Sequence, residues 1–300
     1  DPATARVVDP DFAIQGEYGS LAPGAEWGAQ VVALGKGEFD VFLLKGGLPG
    51  LGWTREERRV HVKAKREGDA VTGANPNEKV ELTIAGEKLS ARVEDKKMIL
   101  PRIERASPTL GAKPPEGAVV LFDGTSAEKW EKGRVENGLL AATGCLSKPR
   151  FKSYTAHVEF RTPYKPHARG QGRGNSGIYW GGRWETQVLD SFGLEGKQNE
   201  CGGIYSISEP KLNMCLPPLT WQTYDVDFTA AKFDADGKRT AWPRITVKLN
   251  GVVVHEDLEL AKDLTTAAPL KGPLKDEGRP IFLQDHGNPV FYRNIWVEEK

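Results

Sequence analysis

The chain has 300 residues, and its 41 basic side chains balance 41 acidic ones, so the formal charge is zero at pH 7. No basic run is long enough to attract nucleic acid, and no apolar stretch reaches the roughly eighteen residues that span a membrane. We therefore expect a neutral or weakly polar ligand. The 34 Gly, 20 Pro, eight Trp and two Met favour short strands and tight turns over a helical bundle.

Short runs that alternate apolar and polar residues fill the N-terminal third. They lie at residues 30–34, 39–44, 59–65, 79–84, 89–93 and 97–103. Turn residues such as Gly35, Gly68 and Gly86 separate them at hairpin-like intervals, which predicts a small β-meander domain over residues 1–107. Residues 108–118 contain Pro108 and show no hydrophobic period. We therefore predict a linker there, because proline cannot donate a hydrogen bond to a strand ladder.

The remaining residues, 119–300, contain a second and longer series of short runs. They lie at residues 119–122, 139–142, 156–161, 176–180, 184–189, 203–207, 224–229, 245–249, 252–255, 281–284 and 290–297. Many strands without a helical period predict two packed antiparallel sheets, as in a lectin-like jelly roll. The strongest hairpin signal in the chain is the pair Asn250-Gly251.

A second hairpin is predicted where Gly181 and Gly182 separate two runs. A two-residue turn there pairs Trp180 with Arg183, and directly paired residues share a face. One face is then expected to carry Ser176, Ile178, Trp180, Arg183, Glu185 and Gln187. An acid, an amide and a guanidinium beside an indole suit a sugar, which offers hydroxyls and an apolar ring face. A solvated outer face is the alternative interpretation.

Two other segments carry polar side chains of the same kind. His157 and Glu159 alternate with apolar residues in one strand, and Gln284, His286 and Arg293 lie near the end of the chain. Three independent strands that bear acid, amide and histidine side chains favour a site over a solvated face. The chain has no GxSxG, HExxH, Walker or strand-linked GxGxxG motif, which argues against serine hydrolases, zincins, NTPases and dinucleotide enzymes.

Several longer motifs occur in order between residues 119 and 300. They are LFDGT, GNSGIY, ETQVLDS, CGGIY, WQTYDV, LNGVVVH and LQDHGNPVFYRNIWV, which begin at Leu121, Gly174, Glu185, Cys201, Trp221, Leu249 and Leu283. Together they resemble the 3-keto-disaccharide hydrolase family (DUF1080), whose activities include 3-keto-glucoside lyase and hydratase. The resemblance implies a concanavalin-like jelly roll that acts on glycosides or oligosaccharides oxidised at C3. It also implies a periplasmic or secreted protein whose signal peptide has been removed.

The chemistry that the family implies can be followed step by step. A ketone at C3 acidifies the C2 hydrogen, so a base can form an enolate that expels the C1 oxygen, and water then adds to the resulting glucal. The reaction needs a base near C2, donors at the C3 oxygen and an acid near the glycosidic oxygen.

The polar faces described above supply the expected site residues. We expect Glu185 or His286 to be the base, with Glu159 as the third catalytic candidate. Trp180 would stack on the sugar ring. The expected substrate-binding residues are Gln187, Gln284, Arg293, Trp180, Arg183, Asn175, Tyr205, Asp190 and His157.

Three of these residues, Asn175, Asp190 and Tyr205, are included because they match the family motifs. From the residues alone each has a structural alternative: a turn for Asn175, a strand-end cap for Asp190 and the core for Tyr205. The motif ETQVLDS departs from the usual EVQVLDS at Thr186, which should point to the core and leave the polar positions intact.

Two rival functions stay open on the sequence. Glu159 and Glu185 could be the two carboxylates of an ordinary glycoside hydrolase, or the domain could bind carbohydrate without turnover. No cofactor is predicted: acidic side chains and histidine could ligate a divalent cation, but no ligand spacing supports a metal site. Cys201 and Cys215 could form a disulfide in an oxidising compartment. No nucleic-acid partner and no membrane span are expected.

Overall fold

The computed structural model describes residues 2–300, which form two compact units. Residues 2–105 and the short segment 164–169 make the first unit, and residues 106–163 and 170–300 make the second. All strand pairs within the sheets of both units are antiparallel.

The first unit is a meander of eight strands that closes into a barrel. Its elements are α1 (Pro2–Val8), α2 (Pro10–Ile14), β1 (Gly16–Tyr18), β2 (Trp27–Gly35), β3 (Glu38–Lys45), β4 (Arg59–Glu67), β5 (Ala70–Asn75), a 3₁₀ turn (Pro76–Glu78), β6 (Val80–Ala85), β7 (Lys88–Val93) and β8 (Lys96–Ile103). Closure occurs because β8 pairs with β1, where Glu17 lies opposite Ile103. Closure removes both free sheet edges, and strict alternation of buried and exposed residues in β6 and β7 fills the interior with Val, Leu and Ile.

The segment 164–169 belongs to this unit because its side chains pack on the barrel. The Tyr164 hydroxyl donates to Asp9 Oδ2 at 2.9 Å, and the Tyr164 ring contacts Phe12 edge-on at 4.9 Å. Arg169 Nη2 donates to the Leu34 carbonyl at 3.2 Å. A loop of the C-terminal sequence therefore becomes part of the N-terminal core.

The second unit confirms the predicted β-sandwich. Its strands are β9 (Val119–Phe122), β10 (Trp130–Glu131), β11 (Val135–Glu136), β12 (Leu139–Ala141), β13 (Cys145–Ser147), β14 (Tyr154–Arg161), β15 (Ser176–Trp180), β16 (Trp184–Val188), β17 (Gln222–Thr229), β18 (Lys232–Phe233), β19 (Arg239–Ala241), β20 (Arg244–Leu249), β21 (Val252–Glu259), β22 (Phe282–Leu283) and β23 (Phe291–Glu299), with a 3₁₀ turn at Gly170–Gly172. One sheet has the order β10-β13-β22-β15-β16; the other has eight strands, in the order β11-β12-β23-β14-β17-β20-β21 with β9 beside β23. The core between the sheets is rich in aromatic rings, such as Tyr154 stacked on Phe228 with centroids 5.1 Å apart.

The two predicted hairpins have different outcomes. At Asn250-Gly251 the prediction is confirmed: Leu249 pairs with Val252, and both turn residues have positive φ, as a two-residue type I′ turn requires. At Gly181-Gly182 the predicted register is wrong. Trp180 pairs with Trp184, so the turn has three residues and includes Arg183. Because strand side chains alternate with period two, this shift of one residue moves the β16 side chains to the opposite face.

Residues 108–112 of the predicted linker lie against the outer face of the eight-stranded sheet. Thr109 Oγ1 donates to Asp225 Oδ2 at 2.6 Å, and the Gly111 amide donates to Glu159 Oε1 at 2.6 Å. The carbonyl of Ala112 accepts from Trp296 Nε1 at 3.2 Å. This part of the linker is therefore a packed element of the second unit.

Glu159 is the buried centre of that outer-face network. Its carboxylate accepts hydrogen bonds from Arg293 Nε at 2.6 Å and Asn294 Nδ2 at 2.9 Å, as well as from the Gly111 amide, and His157 Nε2 lies 3.5 Å away. Burial raises the pKa of Glu159, but these donors outweigh it and lower the pKa to about 2. The carboxylate is thus held ionised as a structural anchor for the linker.

Replacing Glu159 by Gln should destabilise the protein in a pH-dependent way. A pKa lowered from 4.5 to about 2 contributes stability above pH 4.5 that is lost as the pH falls toward 2. The free energy of unfolding of E159Q should be lower than that of the wild type by about 3 kcal/mol at pH 7, and the gap should narrow at pH 3. Urea unfolding at both pH values measures this, with E116Q, an exposed linker residue, as control. An equal gap at both pH values would contradict the assignment.

Candidate active site

The outer face of the five-stranded sheet carries two adjacent rows of side chains. Gly177 of β15 pairs with Gln187 of β16, and Tyr179 pairs with Glu185. On the other side of β15, the Gln284 amide donates to the Gly177 carbonyl at 2.9 Å. Since paired residues share a face, Gln187, Gly177 and Gln284 form one row, and Glu185 and Tyr179 form the next.

A loop segment extends both rows beyond β16. The amide of Tyr205 donates to the Glu185 carbonyl at 3.0 Å, and Ile204 bridges to Thr186. Tyr205 therefore lies beside Glu185 and is half-buried. The predicted strand at 203–207 is reduced to two isolated bridges of Ile204, one to Thr186 and one to Ser208. Asn175, two residues before Gly177, points to the same side of β15.

Gly177 is the floor of this site. A Cβ atom at Gly177 would lie 2.2 Å from Glu185 Oε1, far inside van der Waals contact. The Glu185 carboxylate therefore lies directly over Gly177, and only glycine gives it that space.

The protonation of Glu185 is set by burial and one hydrogen bond. The residue is 3% exposed, and the Tyr179 hydroxyl donates to its Oε2 at 2.7 Å. Burial raises the pKa of Glu185 to about 7, although the Tyr179 hydrogen bond opposes the rise. A carboxyl group with a pKa near neutrality can take and return protons at physiological pH, as a general base must.

Three amide side chains around Glu185 have fixed orientations. Asn175 Nδ2 donates to the Gln171 carbonyl at 2.9 Å, and Gln187 Nε2 donates to the Asn199 carbonyl at 3.4 Å. Main-chain carbonyls only accept, so each amide nitrogen must face its partner. Gln284 Nε2 donates to the Tyr179 hydroxyl at 3.1 Å, because the hydroxyl proton is committed to Glu185.

The oxygens of these three amides are left without partners. Asn175 Oδ1, Gln187 Oε1 and Gln284 Oε1 are buried and accept no hydrogen bond. Buried acceptors without partners cost about 1–3 kcal/mol each, and native proteins keep few of them. With Glu185, they form an acceptor-rich cluster, called the cradle below, whose amide oxygens are shielded from solvent in this conformation and complement O–H donors.

The corrected register moves Trp180 out of this site. Its side chain is fully buried in the sandwich core, where its Nε1 donates to Thr186 Oγ1 at 2.7 Å. The prediction that Trp180 stacks on a sugar ring is therefore wrong. The hydroxyl of Thr186 explains the departure from the usual family motif, since valine could not accept this bond. Ser176 and Ile178 likewise face the core.

Arg183 and Asp190 have structural partners. The Arg183 guanidinium donates to the carbonyls of Asp263 at 3.1 Å and Gly272 at 2.7 Å, which ties the 263–272 loop to the hairpin turn. Asp190 is buried in an ion pair with Arg173 at 2.7 Å. Neither side chain is directed at the cradle by these contacts, so substrate binding by Arg183 is not supported.

His157, Glu159 and Arg293 lie on the other sheet. They belong to the outer-face network under the linker, so the structure does not bring them together with Glu185. Packed sheets are about 10 Å apart, and these two outer faces have the whole core between them. Glu159 and Glu185 therefore cannot flank one glycosidic bond as a hydrolase pair.

His286 follows Gln284 in an exposed turn. Its carbonyl accepts from Asn288 Nδ2 at 3.0 Å, and its side chain is solvent-exposed. His286 is close to the cradle in sequence, but it is exposed whereas Glu185 is buried.

Sequence reasoning missed Tyr179, Gly177 and Gln171 as site residues. The first two lie in the GNSGIY motif, but the wrong register placed them on the opposite face from Glu185. Gln171 lies in a 3₁₀ turn with no sequence signal for its role. Its side-chain oxygen accepts from both Asn175 and Gln187 and fixes their orientation.

Cys201 and Cys215 are free thiols in the structure, and both are buried. The Cys201 sulfur lies 3.4 Å from the Tyr224 hydroxyl, beneath the segment that carries Tyr205. Among residues 2–300, no three His, Cys, Asp or Glu side chains converge as metal ligands. Over the same residues, no helix has the length and apolarity needed to cross a membrane.

Comparisons with known proteins confirm the family resemblance. Residues 117–298 match the family described as a 3-keto-alpha-glucoside-1,2-lyase-like domain. A crystal structure of a "putative glycosyl hydrolase" from Parabacteroides distasonis ATCC 8503 is 33% identical, with a TM-score of 0.56 over 62% of this chain and 84% of that chain. A second structure of the same description and organism is 18% identical, with a TM-score of 0.45 over 62% and 94% of the two chains. The curated proteins gave no match.

Replacing Glu185 by Gln should stabilise the protein at high pH. The pKa of Glu185 is raised from 4.5 to about 7 in the folded protein, so this carboxyl group ionises more easily in the unfolded chain. The wild-type protein is therefore fully stable below pH 4.5 and loses folding free energy as the pH rises through 7. At pH 8.5, E185Q should therefore exceed the wild type by about 3 kcal/mol in free energy of unfolding, and by almost nothing at pH 4.5. Urea unfolding at both pH values, with E116Q as control, tests this. If E185Q and the wild type had the same free energy of unfolding at pH 8.5, burial would not be raising the pKa of Glu185.

Proposed function

The chain belongs to the 3-keto-alpha-glucoside-1,2-lyase-like family, and from that premise we propose that it cleaves glycosides already oxidised at C3. One observation supports this function above others: a single buried carboxylate with a pKa near 7 lies in a cradle of amide oxygens. Elimination next to a ketone needs one base, whereas ordinary glycoside hydrolysis needs two carboxylates. The related glycosyl hydrolase-type structure agrees with a carbohydrate-active enzyme.

In the proposed reaction, Glu185 removes the proton from C2 of the sugar. The electron pair of that C–H bond forms the C1–C2 double bond through an enolate at C3, and the bond between C1 and the glycosidic oxygen breaks. The leaving oxygen takes up a proton. Addition of water across the double bond, with the proton returned to C2, gives the free 3-keto sugar, so the net result is hydrolysis.

The amide oxygens hold the sugar while this proceeds. Asn175, Gln187 and Gln284 each accept a hydrogen bond from a hydroxyl, which places the ring over Gly177 with C2 toward Glu185. We assign protonation of the leaving oxygen to one of two groups near the cradle, the Tyr205 hydroxyl or the His286 imidazole. Tyr205 lies beside Glu185, and His286 is the more accessible to solvent.

Proton NMR in heavy water tests the reaction. The wild type should cleave a 3-keto-glucoside with deuterium incorporated at C2, and leave the unoxidised glucoside intact. E185Q should lose at least about a hundredfold in rate, the contribution of a general base, while E116Q keeps the wild-type rate. Cleavage of the unoxidised sugar without deuterium would point to direct hydrolysis. Saturable binding without any product would make the domain a binding module.

The pH dependence of the same reaction follows from the pKa of Glu185. The base must be ionised, so kcat/KM should rise with pH and reach a plateau above an apparent pKa of about 7. Initial rates between pH 5 and 9 on the 3-keto-glucoside measure this. A rate that is flat across the range would remove Glu185 from the proton-transfer step.

A further inference from the structure

We propose that Tyr179 is a positioning residue that fixes the Glu185 carboxylate over Gly177, with Oε1 presented to the substrate and Oε2 held by the tyrosine hydroxyl. The inference rests on the proposed function, in which Glu185 is the base. Tyr179 does not touch the substrate in this account; it acts through Glu185.

When Glu185 is ionised, the hydrogen-bond directions along this face are fixed, because a carboxylate can only accept. The Tyr179 hydroxyl therefore donates its one proton to Glu185 Oε2, 2.7 Å away. The Tyr179 oxygen then accepts from Gln284 Nε2 at 3.1 Å. Glu185 Oε1, the oxygen nearest to Gly177, is left for the ligand. Gln284 thus orients Tyr179, and Tyr179 orients the base.

Burial keeps the Tyr179 hydroxyl protonated. Burial and the neighbouring Glu185 carboxylate raise the pKa of Tyr179 well above its ordinary value, so the hydroxyl keeps its proton throughout the pH range of the reaction. That donation favours the ionised form of Glu185 and opposes the larger effect of desolvation.

Other titratable groups around Glu185 are few. Tyr205, on the neighbouring segment, and Tyr292, on β23, interact electrostatically with Tyr179 and Glu185 respectively. Thr265 Oγ1 accepts from the Glu185 main-chain amide at 3.2 Å and leaves the carboxylate alone. Among the described residues, no Lys, Arg or His forms an ion pair with Glu185. Tyr179 is therefore the side chain that favours the ionised base against the larger effect of burial.

Replacing Tyr179 by Phe removes the hydroxyl and keeps the aromatic ring, so the two contributions can be told apart. The ring packs edge-on against Phe282 with centroids 5.5 Å apart, and phenylalanine can keep this contact. Without the hydroxyl, Glu185 loses its donor, so its pKa should rise by about one unit and its carboxylate should become mobile. In Y179F, the acid limb of kcat/KM should move up by about one pH unit, and the plateau kcat should fall at least about tenfold with little change in KM.

Two measurements on the full chain test the inference. The first is the pH profile of kcat and KM for Y179F beside Y18F, a buried tyrosine of the N-terminal barrel whose hydroxyl donates to the Ile14 carbonyl at 2.7 Å. Y18F should keep the wild-type profile. The second is a carboxyl-carbon NMR titration of Glu185 without substrate, assigned by its loss in E185Q. Q284L, which removes the donor to Tyr179, is a second variant and should shift the titration in the same direction by less.

The two proposals fail in different ways. If the wild type does not cleave 3-keto-glucosides but Glu185 titrates at higher pH in Y179F, the reaction is wrong and the positioning role stands. If turnover depends on Glu185 but Y179F shows the wild-type titration and pH profile, the positioning role is overturned.

Discussion

Trp180 pairs with Trp184 across the β15–β16 hairpin, and this register decides which side chains reach each face of the five-stranded sheet. The three-residue turn, with Gly181 and Gly182 at positive φ, fixes the register. As a result both tryptophans enter the core, and Glu185 and Gln187 face outward beside Gly177. A shift of one residue would bury the carboxylate between the sheets and expose an indole, since strand faces alternate with period two.

The second unit contains two buried glutamates, and their surroundings shift the two pKa values in opposite directions. Glu159 receives hydrogen bonds from Arg293, Asn294 and the linker, which lower its pKa to about 2. Glu185 has a single neutral donor, Tyr179, so burial prevails and raises its pKa to about 7. The first carboxylate is fixed in its ionised form and stabilises the fold, whereas the second can exchange a proton near neutral pH. Partners, more than burial alone, separate the structural acid from the candidate base.

Patterns of period two and turn residues were enough to predict the β-sandwich, most of its strands and the Asn250-Gly251 turn. They also placed Glu185, Gln187 and Gln284 in one site. Closure of the N-terminal meander was not predictable, because pairing between β1 and β8 depends on residues far apart in the chain. The separation of Glu159 from Glu185 was not predictable for the same reason. Alternation shows that a residue points to one face of a strand, but it does not show which sheet the strand joins or which segment covers that face.

The most direct test of the account is a crystal structure of E185Q soaked with a 3-keto-glucoside. We expect the sugar ring to lie over Gly177, with C2 facing residue 185 and ring hydroxyls donating to the oxygens of Asn175, Gln187 and Gln284. A sugar bound on the outer face of the eight-stranded sheet, or bound here with C2 turned away from residue 185, would contradict it.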